Sequence, residues 1–224
     1  MALILHIETS SINCSVALSE GDQLLACIEK QEINIHASAI TLFIDQVMKD
    51  SGKLLSDLNA IAVGKGPGSY TGLRIGVSTA KGLCYALNIP LISCQSLRTI
   101  YEQAKFMNGN KDVIYRPLID ARRMEVYTTT FNVSGEMLEE VSALIIDEHT
   151  FAQETAEKDM LYFGDGSEKI KQYYTPSEKL AYINGLYPSA NFMYKEALLK
   201  FEKKEFEDVA YFEPFYLKEF YFNK

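Results

Sequence analysis

The chain contains no tryptophan and only three histidines, six prolines and four cysteines in 224 residues, and each scarcity removes a class of explanation. Cys14, Cys27, Cys84 and Cys94 never fall in a C-x-x-C pair, and their neighbours are apolar or small. They are expected as buried reduced thiols, not as disulfides or metal ligands. His6, His36 and His149 lie on different elements, and His36 has no second His or Cys at i+3 or i+4, so no metal pair is expected. No Ser-His-acid arrangement is suggested by spacing. No apolar run approaches the ~20 residues of a membrane span, and "MALILHIETSS" lacks the cationic lead of a signal peptide. A cytoplasmic place with no membrane contact is the expectation. Basic residues are also short, with 22 Lys and Arg against 30 Asp and Glu and a net charge of −8. That balance repels a polyanion, and Arg122-Arg123, Arg98, Lys105 and Lys111 are too few for a phosphate-tracking stripe.

What is present is an ordinary globular composition, 47% apolar and 23% charged, with a repeated order of elements. "ALILHIE" (2–8), "CSVALSE" (14–20) and "QLLACIEK" (23–30) read as strands, with Gly21-Asp22 as a tight hairpin turn. A helix over 36–49, an apolar strand over 58–64 and a helix over 71–87 follow. The second half runs through strands at 112–120, 124–131 and 137–146, a helix over 147–157 opened by an Asp cap, a strand at 159–164 and a short helix at 167–173. A last helix spans 189–203. Two β-β-β-α-β-α units in tandem predict an α/β fold of two lobes, 1–106 and 107–224, divided in "FMNGNK".

The glycine-rich "KGPGSYTGLRIG" (65–76) invites comparison with phosphate loops. A P-loop needs G-x-x-x-x-G-K-[ST], and here Lys65 precedes the glycines while Leu73 follows Gly72. The dinucleotide spacing G-x-G-x-x-G fails as well. The segment is still a strand-to-helix turn, and the first turn of a helix offers unpaired N–H groups to an anion. Arg74 in that first turn opposes the helix dipole and calls for a nearby acid or anion, the penalty being ~0.3–1 kcal/mol. Glu8, Asp120 and Asp165 each fall at a strand end, and with Arg74 they make a candidate vestigial nucleotide or anion site. The helix over 71–87 is apolar nearly all round, so it is expected to be buried on every side, against the chain's own halves or against another subunit. The tail "YFEPFYLKEFYF" (211–222) is too apolar to hang in water and is expected to pack on the body or on a partner.

The stretches "LILHIETSS", "GKGPGSYTGLRIGVSTAKGL" (64–83), "DARRMEVY" (120–127) and "EPFYLKE" resemble the TsaB (YeaZ) family of tRNA threonylcarbamoyladenosine synthesis. The resemblance implies the actin-like ATPase (ASKHA) fold, in agreement with the duplication. It also implies a non-catalytic role as a scaffold for a TsaD-like catalytic subunit, which transfers a threonylcarbamoyl group to adenosine beside the anticodon, with a TsaE-like ATPase joining the pair. TsaD-like proteins carry a metal-binding H-x-x-x-H pair after the strand that follows this helix. In "PLISCQSLRTI" (90–100), Ser96 and Ile100 take those two positions, and neither replaces an imidazole. Glu8 stands where many family members have Asp, and "YLK" stands where "YLR" is common, which loses a bidentate fork.

The resemblance makes the helices over 36–49 and 71–87 a partner interface built from Ile40, Phe43, Ile44, Val47, Leu73, Gly76, Val77, Ala80 and Cys84. The same surface is expected to form a homodimer in the chain alone. Charging Val77 or Ile44 is expected to abolish pairing and leave the fold intact. No cofactor, no metal and no catalytic residue are expected, and tRNA is met only through the complex. The rival reading is a nucleotide-binding ATPase or phosphotransferase of the actin-like fold, with Glu8 and Asp120 directing metal and water.

Overall fold

The computed structural model describes residues 1–218, and every structural statement below refers to them. The strands are β1 (Leu3–Glu8), β2 (Asn13–Glu20), β3 (Gln23–Gln31), β4 (Ala60–Gly64), β5 (Leu91–Cys94), β6 (Ile114–Asp120), β7 (Glu125–Thr128), β8 (Ser142–Ile145), β9 (Met160–Phe163) and β10 (Leu180–Ile183). The helices are α1 (His36–Ser51), α2 (Tyr70–Leu87), α3 (Ser96–Met107), α4 (Ala152–Glu157), α5 (Ser167–Ile170) and α6 (Tyr194–Lys203).

One sheet has the order β3-β2-β1-β4-β5, and the other, read from its far edge, β8-β7-β6-β9-β10. In both, three strands joined in antiparallel fashion continue into two parallel strands. Parallel neighbours need a crossover, and α1, α2, α4 and α5 lie in the connections. The duplication read from the element order is thus a duplication of topology, the two-unit α/β actin-like ATPase arrangement.

Alternation along β1 gives the first sheet two buried faces. Leu3, Leu5 and Ile7 pack with Val16, Leu18, Ile61 and Val63 under α1 and α2. Ile4 points the other way, with Ala17, Ala60, Ala62 and Ile92, and meets Ala190, Met193 and Ala197. Small residues on β4 let that second layer approach closely. This packing alters the expected lobes: one compact unit is Met1–Thr99 with Pro188–Phe215, the other Ile100–Tyr187 with the described residues from Tyr216 on. The segment through α6 joins the first unit because its alanine and methionine face completes that sheet.

Several expected elements are shorter. The strand over 137–146 contracts to β8, with Phe131 and Met137 forming only an isolated bridge. Asp147 caps a turn, accepting from the His149 N–H and the Thr150 hydroxyl, and α4 begins five residues later. α3 and β10 were not expected: α3 is short on apolar residues outside one stripe, and β10 is a four-residue edge strand. The tail's described part packs on the body. Phe215 N–H donates to Lys65 O at 2.8 Å, and the Lys81 ammonium reaches Ala210 O and Phe212 O at 3.1 and 2.9 Å. Residues 219–222 of the tail motif lie outside the described residues. Within those described, no helix is long and apolar enough to cross a membrane.

Candidate functional site

Ser69 caps α2, its hydroxyl accepting from Gly72 N–H at 3.3 Å. The glycines then lie along the helix side that faces the β1–β2 turn. A Cβ on Gly68 would stand 2.2 Å from Ser10 O, one on Gly72 2.1 Å from Thr9 O, and one on Gly76 2.2 Å from Thr9 Oγ1. Thr9 Oγ1 donates to Gly72 O at 2.8 Å, and Ser69 N–H to Ser10 O at 2.6 Å. The glycine spacing is therefore a track on which the Thr9–Ser10 backbone lies. Only hydrogen atoms fit between the two.

Glu8 ends β1 with no solvent exposure. Its Oε1 accepts from the N–H groups of Thr9 and Ser10, both at 2.8 Å, and its Oε2 from the Ser96 hydroxyl at 3.0 Å. Burial outweighs these donors and holds the carboxyl pKa above the usual carboxylate range, the donors opposing part of the rise. Gly64 at the end of β4 makes room, since a Cβ there would stand 2.2 Å from Oε2. Glu8 is thus paired inside its own unit.

Arg74 lies on the exposed side of α2 with its guanidinium carbon 4.1 Å from the Tyr70 ring centroid. Its Nη2 donates to the Tyr70 hydroxyl. An aromatic face one turn back offsets the dipole. In the second unit, Asp165 and Asp120 come together: Asp165 Oδ1 accepts from Asp120 N–H at 3.0 Å. Asp120 Oδ1 holds the Lys169 ammonium at 2.6 Å and the Arg122 N–H at 2.5 Å. Burial, with the Asp120 charge adding to it, raises the Asp165 pKa to about 6. Lys218 of "YLK" pairs with Glu125, so an ammonium serves where a guanidinium is common. Among the described residues no group of three or more His, Cys, Asp or Glu could hold a metal ion.

Most of the side chains expected at a partner interface turn to the core, while Ile44 also lines the groove between α1 and α2. Ile40, Ile44, Val47, Leu73, Gly76, Val77, Ala80 and Cys84 are buried in the chain's own fold, and Phe43 is half-buried beside them. α2 is not buried all round either: Ser78, Gly82, Tyr85 and Ala86 are exposed, Tyr85 at 85%, and on α1 Leu42 is 66% exposed. Between α1 and α2 runs a groove of about 220 Å³ lined by Thr41, Ile44, Asp45, Met48, Leu55, Thr79 and Leu83. No atom lies within 4 Å of a Cβ placed on Gly82. Charging Val77 or Ile44 therefore disrupts the core, contrary to the expectation of an intact fold.

The four thiols are free, and burial raises their pKa, to about 11 for Cys14 and about 12 for Cys27 and Cys84. Cys27 is half-buried rather than buried. His6, fully buried, bonds through Nε2 to Ser19 Oγ at 2.8 Å, and burial lowers its pKa to about 3. Sequence reasoning missed Thr9, Ser10 and Ser96 as partners of Glu8, and Lys169 as the partner of Asp120. The "TSS" after Glu8 was a usable signal, because a polar turn must satisfy its own N–H groups. The others required the fold.

A family model described as TsaD: tRNA N6-adenosine threonylcarbamoyltransferase matches residues 29–219. The tRNA threonylcarbamoyladenosine biosynthesis protein TsaB of Escherichia coli (strain K12) is 39% identical over 124 residues, 55% of this chain and 52% of that protein. The protein of the same name from Bacillus subtilis (strain 168) is 35% identical over 138 residues, covering 62% and 58%. The alignments thus span little more than half the length of these two relatives. A TsaB from Buchnera aphidicola subsp. Acyrthosiphon pisum (strain APS) aligns over 206 residues at 28%, covering 90% and 91%. The solved structure of YeaZ from Pseudomonas aeruginosa superposes with a TM-score of 0.81 at 24% identity, over 97% of this chain and 100% of that one, a likeness of fold. With residues 29–219 inside the TsaD-type family model, and a TsaB of Buchnera aphidicola subsp. Schizaphis graminum (strain Sg) 30% identical over 84% of this chain and 89% of that protein, the chain belongs to the TsaB/YeaZ family.

Proposed function

We propose that this chain is a non-catalytic subunit in tRNA threonylcarbamoyladenosine synthesis, the process for which its TsaB relatives are named. Its work is to hold a TsaD-like catalytic subunit against the outer face of α1 and α2. The observation that carries the reading is this helix pair: a groove of about 220 Å³ lined by Thr41, Ile44, Met48, Thr79 and Leu83 runs between them, and the same two helices expose Leu42 and Tyr85, with open space over Gly82. Two helices that bound a groove and expose large apolar side chains offer a seam into which a second helix pair packs as a four-helix bundle. Gly82 supports the same reading, since glycine within a helix costs ~1 kcal/mol against alanine and no intrachain neighbour demands it.

The non-catalytic part rests on the pairing of Glu8 with Ser96, which stands where the resemblance places a metal-binding histidine, and on the burial of Ile100 at the second such position. In this reading a TsaE-like ATPase joins the complex, tRNA is met only through it, and the chain alone pairs with itself. The cytoplasm is the site of action. Reconstitution with the cognate TsaD-like and TsaE-like proteins is the test: modification of tRNA is expected to require this chain. Undiminished activity on its omission refutes the scaffold, and turnover of magnesium-ATP by the chain alone would favour an enzyme.

A further inference from the structure

We propose that the β1–β2 turn of this chain is an anion site whose resident anion is its own Glu8 carboxylate, so that the site is closed from within. Two consecutive backbone N–H groups, those of Thr9 and Ser10, converge on Oε1 at 2.8 Å each, and the Ser96 hydroxyl reaches Oε2 at 3.0 Å. All three donors are neutral, and no ion pair to Glu8 occurs among the described residues. Successive N–H groups aimed at one oxygen form the concave nest by which loops bind carboxylates and phosphates. The carboxylate is fully buried and fits a mould, because Gly64 leaves the space that a Cβ 2.2 Å from Oε2 would fill. α2 closes the turn from the other side, through Ser69 N–H on Ser10 O at 2.6 Å and Gly72 against Thr9 O.

A ligand anion cannot enter while Glu8 stays, since the donors are spent and the space is filled. Removing the side chain leaves a cavity with three donors, matched to a small planar carboxylate such as formate or acetate, which would displace the water that otherwise fills it. This inference stands on the geometry of one unit and does not depend on the partner reading.

The test is thermal unfolding of Glu8→Ala and wild type in chloride, formate and acetate at equal ionic strength. The variant is expected to melt lower than wild type in chloride. Formate or acetate at about ten times its Kd is expected to raise the variant's Tm by roughly 3–5 °C, with saturation, and leave wild type unmoved. An equal rise in both proteins, or none in the variant, overturns the proposal. A second measurement needs no variant: the Glu8 side-chain carbon in wild type at pH 7 is expected at the chemical shift of an ionised carboxylate, with Thr9 and Ser10 amide protons shifted downfield. A protonated-acid shift overturns the proposal even if Glu8→Ala does not fold.

Discussion

The glycine track makes opposite predictions for two glycines of the same helix. Alanine at Gly72 places a Cβ 2.1 Å from Thr9 O, a backbone atom that cannot rotate away. Carbon contacts settle at about 3.5–4.0 Å, so α2 must retreat from the turn by more than ~1 Å. Overpacking of that kind costs ~1–3 kcal/mol. The hydrogen bond from Thr9 Oγ1 to Gly72 O, 2.8 Å long, is strained by the same movement and is worth a further ~1 kcal/mol. Helix propensity returns ~1 kcal/mol at most, and less in the first turn. The net loss is ~2 kcal/mol, or a fall in Tm of about 4–8 °C for a chain of this size. Alanine at Gly82 meets nothing within 4 Å and keeps the propensity gain, so Tm is expected to rise by about 2–4 °C. Circular dichroism melts of both variants make the comparison. Equal stabilities, or Gly72→Ala the more stable, would refute the reading of the loop as a packing device.

Charge on the outer face separates interface from core: Tyr85→Glu, at a side chain 85% exposed, is expected to leave Tm within ~1 °C and weaken self-association in sedimentation. Val77→Glu, at 4% exposure, is expected to cost upwards of ~3 kcal/mol and unfold the chain, which denaturant titration reads directly. Acid should destabilise through His6. Its folded pKa, about 3, lies below the unfolded value, so the stability it contributes is present above about pH 6.5 and lost as pH falls toward 3, at about 1.4 kcal/mol per pH unit. Urea midpoints of wild type and His6→Gln between pH 7 and 4 are expected to show the steeper decline in wild type.

Part of this protein is written locally, and that part was legible. The short apolar run in "ALILHIE", the Gly21-Asp22 turn and the apolar content of α1 and α2 depend on neighbours within a few residues, and the observed elements follow them. The order of elements in each half then restricts the topology to the duplicated sheet, because connections are short and parallel neighbours need a crossover. The resemblance likewise offered Ile40, Ile44 and Val47 as a covered surface, but apolar residues on a helix say only that something covers them. The tertiary structure decided that the cover is the chain's own sheet and that the face toward solvent carries Leu42 and Tyr85.

The same limit applies to the glycine loop. Sequence established that it lacks the lysine and hydroxyl of a phosphate loop. Which backbone lies against Gly68, Gly72 and Gly76 depends on residues some sixty positions away, and no local pattern records it. Glu8 shows the difference most clearly: its place at a strand end was readable, whereas its burial and its three donors, one of them from Ser96, exist only once β1, β4 and α3 are assembled. Hydrogen-bond partners across 88 residues are set by the packing that brings them together, and packing is a property of the whole chain.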